Sequence, residues 1–405
     1  MRSFDCIIIG GGVLGCAIAW YRAKDGASVA LLERCRVAGA NSSRAAGLLS
    51  RARSKVAVIP LVAETFAAIA ELEGELGEPL GLSQVGSLHV ASSAGERANL
   101  AELARVSAEG GVLAEWLDRD DALRAVPWLA TDLDVDAVFF PGDGFIDPNT
   151  LVQAYARAAR ARGAQLWEGV DVTAIRLDGD RVLGVETSQG FMAGDVVVDA
   201  AGAWAATLAR PLGIGLPTAP VRSQYWITAP HLLFRPGQPM VLLPDARAYT
   251  RPEGTRLLFG LREAVCPHVD PWEVPADLGR LRLSQDPGGW DSLGEGIPAL
   301  ARFVPLVEQV GIANYISGLS TYTPDGMFAL GAMPGVRGFL AATGCCGAGM
   351  AASGGIGLAL ARLAAHQPPP FDLGPHRIDR FGPVDPADAR FRQLCADARS
   401  LKRSG

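Results

Sequence analysis

The chain has 405 residues, 49% of them apolar and 20% charged, which excludes dominant disorder and gives length enough for two domains. Its net charge of −6 and the lack of a long basic run exclude a general nucleic-acid binder. The 48 glycines and 27 prolines follow no three-residue period, which excludes collagen and points to many tight turns.

In chain order, Asp5–Ile9 reads as a short buried strand, Gly10–Gly15 as a turn, and the next residues as a helix to about Lys24. Ser28–Glu33 is a second strand, so the chain opens on a βαβ unit. Helices are expected over 61–77, 94–109 and 119–125, and strands over 84–91 and 137–140. Asp147 caps a helix with Pro148 at its first position, where a missing N–H costs nothing; that helix runs to about Ala161. Strands are expected near 165–176, 181–187 and 195–200, then an antiparallel sheet from 217–229, 239–250 and 256–263. A helix is expected over 299–309, strands near 312–320 and 338–342, and a helix to about Ala365 that Pro368–Pro370 ends. Residues 384–405 read as a peripheral helix.

Seven irregularly spaced cysteines without a C-x-x-C argue against a disulfide framework and fit a reducing cytoplasm. The five histidines stand apart, so no metal site is expected. Residues 6–21 are uncharged but lack a basic leader, which reads against a signal peptide. Residues 338–360 are long enough to cross a bilayer, yet their seven glycines favour a buried turn and helix that cradle a ligand.

The chemistry starts at Gly10-x-Gly12-x-x-Gly15, between a strand and a helix. Gly10 permits the turn, Gly12 lets a pyrophosphate approach the backbone, and Gly15 lets helix and strand pack closely. The helix N-terminus offers free N–H groups to phosphate. Glu33, at the end of the second strand, is placed to accept from ribose hydroxyls. Ser42 and Ser43, in NSSRAAGLL, supply hydroxyls for phosphate, and Ala45–Leu49 leave room for a planar ligand. Gly347-x-Gly349-x-x-Ala352 lacks an acidic strand end downstream and reads as a turn facing the ligand rather than a second dinucleotide site.

IIIGGGVLG, NSSRAAGLL, GDGFIDPNTLVQAYARAARARGA, VVVDAAGAWAATLA, PVRSQ, TPDGMFALG and ATGCCGAGMA occur in this order over residues 4–382. With them the chain resembles the FAD-dependent D-amino-acid oxidase superfamily, in its glycine oxidase and sarcosine oxidase/dimethylglycine dehydrogenase branch. The resemblance implies an α/β (α+β) fold: a GR2-type Rossmann-like FAD-binding domain from 1–80, 143–215 and 323–383, and a substrate domain with a mixed, largely antiparallel sheet from 81–142 and 216–322. Residues 384–405 form a C-terminal tail.

The resemblance further implies FAD held by Gly10, Gly12, Val13, Leu14, Gly15, Glu33 and Arg34, with Ser42, Ser43, Arg44, Ala45, Ala46, Gly47 and Leu48 beside pyrophosphate and isoalloxazine. Val172 meets adenine, Ala201, Gly202 and Trp204 make a second contact turn, and Gly344, Gly347, Ala348, Gly349 and Met350 lie over the pyrimidine edge of the flavin. Relatives that tether FAD use a His where Arg44 stands or a Cys where Gly318 stands, so noncovalent FAD is expected. The glycine oxidase-like pattern Gly-Leu-Arg, whose Arg binds the substrate carboxylate, reads Gly318-Leu319-Ser320 here. Arg247 and Arg251 are the candidate replacements; Leu48, Leu49, Tyr249, Ser320, Tyr322 and Met350 are candidate pocket walls, and Arg222 and Gln224 border the site.

The implied reaction is hydride transfer from the α-carbon of glycine or an N-substituted amino acid (N-carboxymethyl or N-alkyl) to flavin N5. The imine then hydrolyses to glyoxylate or another aldehyde plus an amine, with H2O2 where O2 is the acceptor. No catalytic side chain is required beyond those that orient and bury the substrate. Alternatives are a D-amino-acid or sarcosine/dimethylglycine-type dehydrogenase, another flavoenzyme class such as a monooxygenase or disulfide reductase, and a non-catalytic FAD-binding scaffold. The expected partners are a small amine or amino acid and an electron acceptor, with no nucleic acid and no membrane segment.

Overall fold

The computed structural model describes residues 3–278 and 288–402. SFDCIII forms the strand Ser3–Ile9, in which Cys6, Ile7 and Ile8 are fully buried. An apolar run covered on both faces is the signature of a central parallel strand. It lies between the parallel strands Gly190–Asp199 and Val29–Glu33, the latter followed by Gln165–Glu168. Phe339–Thr343 pairs parallel to Gly190–Asp199, with Ala329–Ala332 antiparallel at the edge. Arg181–Thr187 and Val172–Asp178 extend the sheet as antiparallel strands.

The helix Val13–Lys24 is buried along almost its whole length, because the helices Pro148–Ala161 and Ser353–Ala364 pack against it. Gly357 permits that contact: a Cβ there would lie 2.8 Å from the Ala17 Cβ. Removal of a side chain such as Ile18 from water stabilises by roughly 1.5–3 kcal/mol.

The second sheet runs in the order Ile312–Tyr322, Ala219–Thr228, Arg256–Leu261, Ala248–Glu253, Met240–Leu243, Ser87–Ala91, Asp136–Phe140, Glu115–Leu117. It is antiparallel except where Met240–Leu243 meets Ser87–Ala91. Leu48–Leu49 and Gly144–Phe145 form a separate two-stranded ribbon.

The expected βαβ opening, the helices 94–109 and 119–125 and the Asp147 cap are present; Asp147 Oδ1 accepts from Thr150 N at 2.7 Å. Several expectations change. The strand 239–250 is broken by a turn at Pro244–Ala246, where proline fixes the backbone, and 165–176 is broken around Gly169. The helix of 299–309 lies earlier, at Trp290–Ala301, with only a short 3-10 turn at Pro305–Glu308. The strand Ala329–Ala332 is an addition, and the helix expected to run to about Ala365 starts at Ser353. The C-terminal helix Ala389–Ser400 is not merely peripheral: Phe391, Cys395, Ala396 and Arg399 share one face and pack on the strands Ala219–Thr228 and Ile312–Tyr322. Among the described residues, no helix is long and apolar enough to cross a membrane.

Candidate active site

The fingerprint turn is fixed by close backbone approaches. Gly10 has φ +106°, and a Cβ there would lie 2.6 Å from the Ala200 carbonyl oxygen. A Cβ at Gly15 would come within 2.0 Å of the Gly10 oxygen, so helix and strand close only over glycine. Gly11 N donates to Glu33 Oε2 at 2.7 Å and Cys35 N to Glu33 Oε1 at 2.8 Å, which locks the carboxylate at the turn. The helix Val13–Lys24 has no acidic residue in its first turn, so its positive end is left for an anion. Ser42 Oγ accepts from Val13 N at 3.0 Å, which pins the NSSRAAGLL loop across that end.

One cavity joins this turn to the second sheet. Of the expected cofactor residues, its wall holds Gly10, Gly12, Val13, Leu14, Glu33, Arg34, Ser42, Arg44 through Leu48, Val172, Ala201, Gly202, Trp204, Gly347, Gly349 and Met350. Gly15, Ser43, Gly344 and Ala348 lie outside the wall. Gly15 is the packing contact described above, and Ser43 Oγ donates to Ala40 O at 3.2 Å. Gly344 adopts φ +62° against Ala329, while Ala348 N closes the turn onto Cys345 O at 2.7 Å. The Arg34 guanidinium lies 4.5 Å from the Trp204 ring, so the two wall residues support each other.

An FAD fits this set. A Cβ at Gly12 would fill the space 3.2 Å from Ser42 Oγ, beside the helix terminus. Among the described residues, Arg44 Nε and Thr343 Oγ1 are buried without a partner, and both residues line the cavity. Gly318 fits an untethered cofactor, since a Cβ there would meet Asn41 Oδ1 at 2.3 Å and Arg44 Cβ at 3.3 Å.

On the substrate side the wall includes Leu48, Tyr249, Ser320, Tyr322, Met350 and Gln224. Leu49 does not line it; this buried residue pairs with Gly144 in the ribbon. The two candidate arginines also lie elsewhere. Arg247 is exposed on the turn after Ala246, and Arg251 is spent on structure: Nε donates to Ala46 O at 2.7 Å and the guanidinium lies 4.8 Å from the Phe145 ring. Arg222 is outside the wall, with Nε donating to Glu263 Oε1 at 3.0 Å. Ser320 Oγ accepts from Gly347 N at 3.1 Å, so it braces the loop 344–350 against the strand Ile312–Tyr322.

Four cationic residues in the wall escaped the sequence reading: Arg53, Arg262, Arg399 and Lys402. Burial lowers Arg53 to about 10 against the neighbouring charge of Asp143. Asp143 itself accepts from Ser50 Oγ at 2.6 Å, Ser87 Oγ at 2.7 Å and Arg51 N at 2.6 Å. Burial raises the Tyr249 and Tyr322 phenols, which stay protonated and able to donate. Beneath the fingerprint, burial pushes Asp199 up to about 7, partly offset by its hydrogen bond from Ala201 N.

Residues 5–363 match the family model described as FAD dependent oxidoreductase. Sarcosine dehydrogenase, mitochondrial, from Homo sapiens is 34% identical over 93% of this chain but 41% of its own length. The chain thus spans less than half of that relative. Glycine oxidase from Geobacillus kaustophilus is 31% identical over 94% of this chain and 97% of its own length. The crystal structure of glycine oxidase from that organism superposes with a TM-score of 0.80 at 30% identity, covering 94% of this chain and 99% of the other. L-proline dehydrogenase from P. horikoshii shares the fold, with a TM-score of 0.83 at 22% identity over 94% of this chain and 98% of its own. The chain belongs to the family of FAD-dependent oxidoreductases.

Proposed function

We propose that this protein oxidises the C–N bond of a small amino acid, either glycine or an N-substituted amino acid, with noncovalent FAD as its cofactor. The observation that carries this reading is the cavity whose wall joins the dinucleotide turn to the Tyr249, Ser320 and Tyr322 side of the second sheet. FAD, when bound, supplies the hydride acceptor for the C–H bond next to nitrogen. The chain's own residues bind, orient and shield. Ser42 and the N-terminal end of the Val13–Lys24 helix would hold the pyrophosphate, and Arg34, Val172 and Trp204 would wall the nucleoside. Tyr249 and Tyr322 present protonated hydroxyls. No histidine lines the cavity among the described residues, which agrees with a reaction that needs orientation more than acid–base machinery.

We also infer that residues 1–80, 143–215 and 323–383 form the FAD-binding unit, and 81–142 with 216–322 the substrate unit. The strands of the first sheet all fall in the former ranges and those of the second in the latter, which supports the division.

Product analysis with N-methylglycine tests the reading. Oxidation at the α-carbon gives glyoxylate and methylamine; formaldehyde and glycine would place the reaction on the methyl carbon, and no product from any amine would favour the scaffold reading. Acid precipitation should leave the yellow colour in solution, as expected for an unlinked cofactor.

A further inference from the structure

With Ser320 bracing the loop, Arg247 exposed and Arg251 tied to Ala46, the proposed amino-acid substrate has no carboxylate anchor among the residues first considered. The C-terminal segment supplies one. Arg262 follows the strand Arg256–Leu261, and Arg399 and Lys402 close the helix Ala389–Ser400; all three line the cavity. Arg262 NH1 donates to Lys402 O at 2.5 Å, which ties the end of the segment to the sheet. Lys402 Nζ donates to Cys346 O at 3.0 Å. A Cβ built on Gly347 would lie 2.7 Å from the Tyr322 hydroxyl and 3.4 Å from Lys402 Nζ, so both groups border the flavin-facing loop at the same point.

The local charges do not balance. Arg222 and Arg399 share Glu263, at 2.9 and 3.6 Å. Among the described residues, no carboxylate pairs with Arg262 or Lys402. Burial, followed by the guanidiniums of Arg53, Arg262 and Arg399, drives the Lys402 ammonium well below the ordinary lysine range. Burial and Arg399 lower Arg262 in the same way. A buried excess of positive charge is costly until an anion enters.

We infer that the substrate carboxylate is that anion, held by the Arg262 guanidinium and the Lys402 ammonium, so that segment 389–402 completes the substrate site. This rests on the amino-acid oxidoreductase reading and extends it: the site selects amines that carry a carboxylate over simple amines. Arg262 offers a planar fork that suits a carboxylate, Lys402 adds a point charge, and the Tyr322 hydroxyl adds a neutral donor beside them.

The test titrates the FAD-loaded protein with acetate and malonate and reads binding by the flavin spectrum and by calorimetry, without turnover. Arg262→Gln and Lys402→Gln, each measured at saturating FAD, should weaken malonate binding by about tenfold or more. Lys402→Arg should recover most of the loss. Arg390→Gln, at an exposed position on the same helix, should leave binding within about twofold. Loss of binding in the two Gln variants supports the anchor even if no amine reduces the flavin, an outcome that would count only against the amine chemistry. Wild-type protein that binds neither acid, or Gln variants that bind as wild type does, would overturn the inference.

Discussion

Gly347 N donates to Ser320 Oγ at 3.1 Å, and Cys345 Sγ lies 3.1 Å from the same oxygen. A short hydroxyl on the strand Ile312–Tyr322 therefore holds the loop that borders the cofactor cavity, at the position where the family resemblance implies an arginine. Ser320→Ala removes that hold. We expect FAD to bind about three- to tenfold more weakly, the worth of one hydrogen bond of about 1 kcal/mol, measured by quenching of flavin fluorescence. An unchanged affinity would show that the brace does not matter to the cofactor.

Arg251 serves the fold. Its Nε holds Ala46 O, and its guanidinium lies against Phe145, so it fastens the NSSRAAGLL loop to the second sheet. Arg251→Met should destabilise the holoprotein by about 1–3 kcal/mol in urea unfolding, through a lost charged hydrogen bond. Carboxylate binding by the surviving folded protein should change little. The reverse pattern, intact stability with lost carboxylate binding, would return Arg251 to the substrate site.

Asp199 gives a pH signature. Burial raises its carboxyl from 3.8 to about 7, and its Oδ2 is buried without a partner among the described residues. The folded state thus holds the proton more tightly than the unfolded chain. The resulting stabilisation is fully present below the unfolded value and is lost as pH rises towards the folded value. Asp199→Asn escapes that loss, so it should raise stability by about 1–3 kcal/mol near pH 8, and the gain should shrink towards about pH 4. Melting temperatures across this range check the sign; a gain that grew on acidification would refute the assignment.

The fingerprint was legible because its logic is local. Gly10, Gly12, Gly15 and Glu33 lie within one βαβ unit, and the spacing alone demands close approach and an acidic strand end. The Asp147 cap was legible for the same reason. Arg247 and Arg251 misled because sequence gives strand alternation but not the direction a turn takes: the break at Pro244–Ala246 sends Arg247 outward, and Arg251 finds a carbonyl from a distant loop. The helix Trp290–Ala301 precedes the expected 299–309 because Gly294, Gly296 and Pro298 weaken its local signal, and packing supplies what propensity lacks. Arg399 and Lys402 had no local signal. Their place in the cavity follows from Phe391, Cys395 and Ala396 docking on the second sheet, a relationship that exists only in three dimensions.

The most direct test of the central claim is anaerobic mixing of the FAD-loaded protein with glycine, N-substituted glycines and NADH, followed at the flavin band near ~450 nm. Bleaching by at least one of the amino acids, and none by NADH, is the expected result. Bleaching by NADH with every amine inert would contradict it.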